Sequence, residues 1–175
     1  MAYNFAQELT LISTQTASAS ASISFTTGIS SNFNVYVIKI RNAYPATNSK
    51  GIEMRWSTNG GSTYLSTSYQ WGMINARSDT LAQDNNNAGT SFTIHFAQEN
   101  SATKRASGEI ILFNLSDTNV KTYYSYIGNF QNSGFMGLTT IGGAHSGTTA
   151  INAIKLQYTT GNITAGQFSL WGLNE

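Results

Sequence analysis

The chain has 175 residues, a formal net charge of +1, no cysteine, and only 10% charged side chains. The missing thiols exclude a disulfide framework and a thiolate metal site, and the sparse, balanced charge argues against a nucleic-acid binder, which needs clustered Lys and Arg to displace counterions from phosphate. With 40% hydrophobic residues the chain carries enough apolar surface to fold, and 21 Ser, 22 Thr, 18 Asn and 16 Gly against a single Pro give it a neutral, polar exterior.

Residues 1–5 show neither a basic n-region nor an apolar h-region, so no export signal is expected. The apolar stretches 35–40 and 110–113 are far too short for a membrane span, and no membrane insertion is expected. Along the chain, apolar residues recur with period two in short runs bounded by Gly, Asn, Ser and Thr, which predicts strands. After a weak strand near 8–12, Ile23 and Phe25 alternate with Ser22 and Ser24. Tyr36, Ile38 and Ile40 alternate with Val35, Val37 and Lys39, a strand buried on both faces up to Lys39. Ile52, Met54 and Trp56 alternate with Glu53 and Arg55. Tyr69, Trp71 and Met73 follow, then Phe92, Ile94 and Phe96 against Thr93 and His95. Residues 110–113 are apolar on both faces. Tyr124, Tyr126, Gly128 and Phe130 oppose Tyr123, Ser125 and Ile127. Ile154, Leu156 and Tyr158 alternate with Lys155 and Gln157, and Phe168 and Leu170 with Ser169 and Trp171. Asn59-Gly60 suits a tight hairpin, 84–89 and 142–143 read as loops, and 77–90, 99–107 and 133–149 as longer connections. The expectation is one all-β domain over 1–175 with roughly nine or ten strands, folded as a two-sheet antiparallel β-sandwich, jelly-roll-like rather than an up-and-down barrel.

Titratable groups offer little chemistry. Glu53 and Glu109 are the carboxylates predicted on strands, but Glu53 alternates with apolar neighbours and reads as the wet face of its strand; a glycosidase pair would have to face each other at about 5–9.5 Å. His95 and His145 are the two imidazoles, and no Gly-x-Ser-x-Gly elbow accompanies them. No catalytic residue is predicted, and no enzyme activity. Asp84-Asn85-Asn86-Asn87-Ala88-Gly89 resembles a truncated calcium loop, but Ala88 stands at the third ligand position and no Glu follows, so the prediction is a polar surface loop with no metal and no cofactor. The aromatic residues are more informative. Trp56 and Trp71 read as core. Trp171 and Leu173 point away from Phe168 and Leu170, and Tyr123 and Ile127 oppose Tyr124 and Tyr126, so these four are the candidates for an oligomer interface. Tyr64, Tyr69 and His145, in or beside loops, are the candidates for contact with a glycan, whose rings stack on aromatic side chains and whose hydroxyls need polar partners.

Several segments carry a resemblance: Ile23-Ser24-Phe25-Thr26, then Val35-Tyr36-Val37-Ile38-Lys39-Ile40, then Met54-Arg55-Trp56-Ser57-Thr58-Asn59-Gly60-Gly61-Ser62-Thr63-Tyr64, then Ser68-Tyr69-Gln70-Trp71, and at the end Gln167-Phe168-Ser169-Leu170-Trp171-Gly172-Leu173. From about Ile23 onward this order resembles the small β-sandwich virion proteins of tailed bacteriophages, of the tail-fibre or appendage and head-fibre or decoration types. Unlike fibre proteins, the chain shows no heptads for a coiled shaft. The resemblance implies a non-enzymatic structural component of a phage particle, made in the host cytoplasm and located in the virion. It further implies a homo-oligomer, with a trimer favoured, other virion proteins as partners, and a contribution to host-surface attachment. The competing reading is a carbohydrate-binding, lectin-like module.

Overall fold

A computed structural model describes residues 9–95, 97–132 and 134–173, with the side chains of 124–132 outside the description. Its strands are β1 (Thr10–Ser20), β2 (Ile23–Phe25), β3 (Val35–Pro45), β4 (Ile52–Ser57), β5 (Tyr69–Arg77), β6 (Leu81–Gly89), β7 (Phe92–Thr93), β8 (Ala106–Phe113), β9 (Lys121–Asn132), β10 (Phe135–His145), β11 (Ala153–Tyr158) and β12 (Ile163–Leu173). They form an eight-stranded sheet, in the order β1-β12-β3-β8-β9-β10-β5-β6, and a four-stranded sheet, in the order β2-β11-β4-β7. Every pairing is antiparallel.

The order resolves into a frame and an extension. Strands β1-β12-β3-β8 against β2-β11-β4-β7 have the strand order of a jelly roll, in which the chain alternates between sheets and closes on itself through Greek-key connections. Two hairpins are inserted into this frame, β5–β6 between β4 and β7, and β9–β10 between β8 and β11. β9 adds to the open edge of β8, and β5 pairs with β10, which widens one sheet to eight strands.

Alternation accounts for the frame. Ile154 and Leu156 of β11, Met54 and Trp56 of β4 and Ile23 and Phe25 of β2 point inward and are buried, while Lys155, Glu53, Arg55 and Ser24 between them stay half-exposed. From the other sheet Tyr36, Ile38, Ile110, Leu112, Phe168 and Leu170 meet them in one continuous core. Val35 and Val37 are buried too, so β3 is covered on both faces until Lys39, as its sequence predicts.

Five expectations change. Residues 84–89 are not a loop but most of β6, and 142–143 lie inside β10. The early strand runs from Thr10 to Ser20, well beyond 8–12. The strand at Phe92 ends at Thr93, leaving His95 buried just past it, and Phe96 lies outside the described residues. Asn59-Gly60 does not close a hairpin, because β4 and β5 belong to different sheets and the turn carries the chain between them.

Candidate functional site

The aromatic side chains of the two sheets meet where the extension joins the frame. Phe92 of β7 lies at the centre of a cluster, with its ring centroid 4.7 Å from Trp56, 4.6 Å from Tyr69 and 4.3 Å from Tyr123. His145 packs edge-on against Tyr69 at 4.8 Å. Polar atoms here are mostly paired. The Tyr69 hydroxyl accepts the Trp56 N–H at 3.0 Å and donates to Leu65 O at 3.2 Å, and desolvation pushes its pKa up to about 12. His145 Nδ1 accepts the Gly147 N–H at 3.0 Å, which assigns the proton to Nε2, the donor to Thr67 O at 3.1 Å. Burial lowers the His145 pKa, against the effect of that carbonyl, and nearby Lys121 lowers it further.

Two of the three glycan candidates are therefore spent inside the protein. Tyr69 has no exposure and His145 has 4%. Their nearness to loops in sequence comes from standing at strand ends, where the chain turns but the side chain still points inward. Tyr123 is 3% exposed, and its hydroxyl donates to Thr93 O at 3.2 Å, so it fills the core rather than an outer face. Desolvation raises its pKa well above the usual phenol value. The side chain of Ile127 lies outside the described residues.

The candidate acids do not converge. Glu53 sits on the outward face of β4 and Glu109 on the outward face of β8, in different sheets. Sheets packed about 10 Å apart, with both side chains directed away from the interface, cannot offer a shared cleft. Glu109 instead pairs with Lys39 at 3.4 Å. Among the described residues no three His, Asp or Glu side chains gather as a metal site, and Asp84 and Asn86 turn their oxygens to the N–H groups of Asn85 and Ala88. No helix among the described residues is long and apolar enough to cross a membrane.

The outer faces of the two sheets differ in kind. On the large sheet, Leu11, Trp171, Val37 and Ile111 form one register row across four strands, and Leu173, Val35 and Phe113 the next. Leu11 is 50% exposed. Trp171 is half-buried, with its Nε1 donating to Ser169 Oγ at 2.8 Å and the Lys39 ammonium 5.5 Å from its ring. On the small sheet the outward residues are polar. Lys155 of β11 lies directly between Arg55 of β4 and Ser24 of β2, and Gln157 lies opposite Glu53. Glu53 is held by Gln157 Nε2 at 2.6 Å, by the Ser91 hydroxyl at 2.8 Å and by Arg55 at 3.4 Å.

Tyr64 stands at the end of this polar face, half-buried, with Lys155 Nζ 4.5 Å from its ring centroid. The loop that presents it is locked. Ser57 Oγ accepts the N–H groups of Asn59 and Gly61, Asn59 Oδ1 accepts that of Thr63, and Asn152 Oδ1 accepts that of Gly60. Gly60 and Gly61 take φ of 70° and 87°, and a Cβ at Gly61 would stand 2.7 Å from Thr26 Cγ2, so the Asn-Gly-Gly sequence is required by this turn. Sequence reasoning singled out Tyr64 but treated Arg55, Lys155 and Gln157 only as solvent-facing positions. The missed signal was that β4 and β11 place their polar positions beside one another, which needs the pairing as well as the pattern.

No known protein family matches the chain, and no protein of curated function matches it. Among solved structures it is similar to one described as the CBM2 module of the evolved Dit of Lactobacillus casei BL23 phage J-1, with 10% identity, 91% of this chain and 75% of that chain covered, and a TM-score of 0.28. A likeness this loose carries no argument about fold or function.

Proposed function

We propose that the protein is a non-enzymatic surface module of a bacteriophage particle, a tail appendage or head decoration, assembled as a homo-oligomer. The observation that carries this reading is the contrast between the outer faces. The frame has an apolar strip around Trp171 on one side and a rigid polar platform beside Tyr64 on the other. A sandwich with such faces is suited to packing against its own kind with the first and meeting a polar surface with the second. The phage assignment rests on the sequence resemblance, and jelly rolls serve in both capsids and lectins. The test is immunogold labelling of a producing lysate together with immunoblots of density-purified particles. Labelled particles are the expected result; a protein found in the lysate but absent from purified particles overturns the reading.

The second reading, a carbohydrate-binding module, is favoured by Tyr64, the one glycan candidate that the fold leaves partly open. A glycan array with the purified protein tests it, and binding lost in Tyr64→Ala is the expected result.

A further inference from the structure

Lys155 and Arg55 are direct cross-strand partners on the outward face of the small sheet. Like charges placed opposite one another destabilise a sheet pair, so this arrangement works against folding unless something else uses it. Glu53 offsets one of the two charges, but only through a single 3.4 Å contact to Arg55, while Gln157 and Ser91 occupy its oxygens more closely. Arg55 Nε is buried and has no acceptor. Lys155 has no ion pair among the described residues; its ammonium is posted over the Tyr64 ring. The result is a surplus positive charge fixed on a rigid platform, next to an aromatic ring and flanked by the amide of Gln157 and the hydroxyl of Ser24.

We propose that this face binds an anionic saccharide, whose carboxylate or phosphate is taken by Lys155 and Arg55 while an adjoining sugar ring packs at Tyr64. The inference deepens the reading of the module as a surface-contact part and rests on it. An anion relieves the Lys155–Arg55 repulsion, and charge-assisted hydrogen bonds are the stronger kind. Pre-organisation by the locked 57–64 turn reduces the ordering cost of binding. Neutral saccharides keep the ring contact but leave the paired cations opposed.

The experiment uses the purified full chain and calorimetric titration with three probes: tetragalacturonate, a short poly(glycerol phosphate), and neutral cellotetraose. Binding of at least one anionic probe and much weaker binding of cellotetraose are expected, and which anionic probe binds tells a carboxylated from a phosphorylated source. Lys155→Gln is expected to weaken anion binding about tenfold and to raise the thermal midpoint of the unliganded protein, because it removes a like-charge pair. A purely structural Lys155 would move the midpoint the other way. The proposal is overturned if neither anionic probe binds, if cellotetraose binds equally well, or if Lys155→Gln leaves anion affinity unchanged. Presence of the protein in purified particles is scored separately, so failure here and failure of the particle assignment are distinguishable.

Discussion

Tyr69 shows how much one atom can hold together in this core. Its hydroxyl joins β5 to the backbone of β4 at Trp56 and to the turn at Leu65, at a point where water has no access. Tyr69→Phe leaves the Trp56 N–H without its acceptor, and the expected cost is about 1–3 kcal/mol, read as a lower urea midpoint with unchanged slope. His145 adds a pH dependence. Its folded pKa is depressed, first by burial, so below the ordinary imidazole value of about 6.5 the unfolded chain takes up a proton that the folded protein resists. Stability present at neutral pH is then lost as pH falls through the folded value. Comparing urea midpoints at about pH 7.5 and 5, the wild type should lose more stability than His145→Leu; equal losses would show that the proton uptake lies elsewhere. Neither role was legible in the sequence. Tyr69 stands in the apolar alternation with Trp71 and Met73, yet its place beside a Ser-rich turn, like that of His145 beside glycines, also makes it a glycan candidate, because sequence records the distance to a turn but not the direction of the last side chain before it.

At the level of elements, the strands buried on one face were readable and the two that were missed explain themselves. β6 is an edge strand exposed along both sides except at Ala82 and Gly89, so no alternation marks it, and its Asp84-Asn85-Asn86-Asn87 sequence is that of a turn. β10 carries Gly137, Gly142 and Gly143, which interrupt the apolar period. Both strands exist because a neighbour supplies a ladder, a tertiary cause that outweighs local propensity. The composition of β6 also has a use. Asp84 and Asn86 each accept a hydrogen bond from an N–H group of their own strand, at 2.8 and 2.9 Å, and an open edge with its donors occupied is a poorer template for a second chain. The variant Asp84→Ala with Asn86→Ala should therefore aggregate faster on mild heating, measured as turbidity at equal thermal midpoint. Equal rates would mean that another feature guards this edge.

At the scale of the whole molecule, the two-sheet architecture followed from period-two patterning, and so did the outward orientation of Trp171. What no single segment contained is the strip that pairing assembles, with Trp171 beside Val37 and Leu11 and with Leu173 beside Val35; Val35 and Val37 are already buried within the single chain, so Leu11, Trp171 and Leu173 are what the strip offers a partner. Leu11 is half exposed at the rim of that strip, and Trp171 is half-buried, with the Lys39 ammonium 5.5 Å from its ring. Burying a Trp or Leu side chain contributes about 1.5–3 kcal/mol, and a symmetric contact repeats that contribution at each interface. The expected state is a homo-oligomer closed through this strip, a trimer by the phage resemblance. Light scattering at tens of micromolar tests it. Trp171→Ala should shift the protein toward monomer, and so should Leu11→Glu, whose side chain is 50% exposed and whose replacement is expected to cost the fold little. Because the two variants damage the interior unequally, they separate assembly from stability. A wild-type monomer defeats the expectation, and so does a Trp171→Ala protein that melts earlier yet keeps the wild-type mass while Leu11→Glu changes nothing.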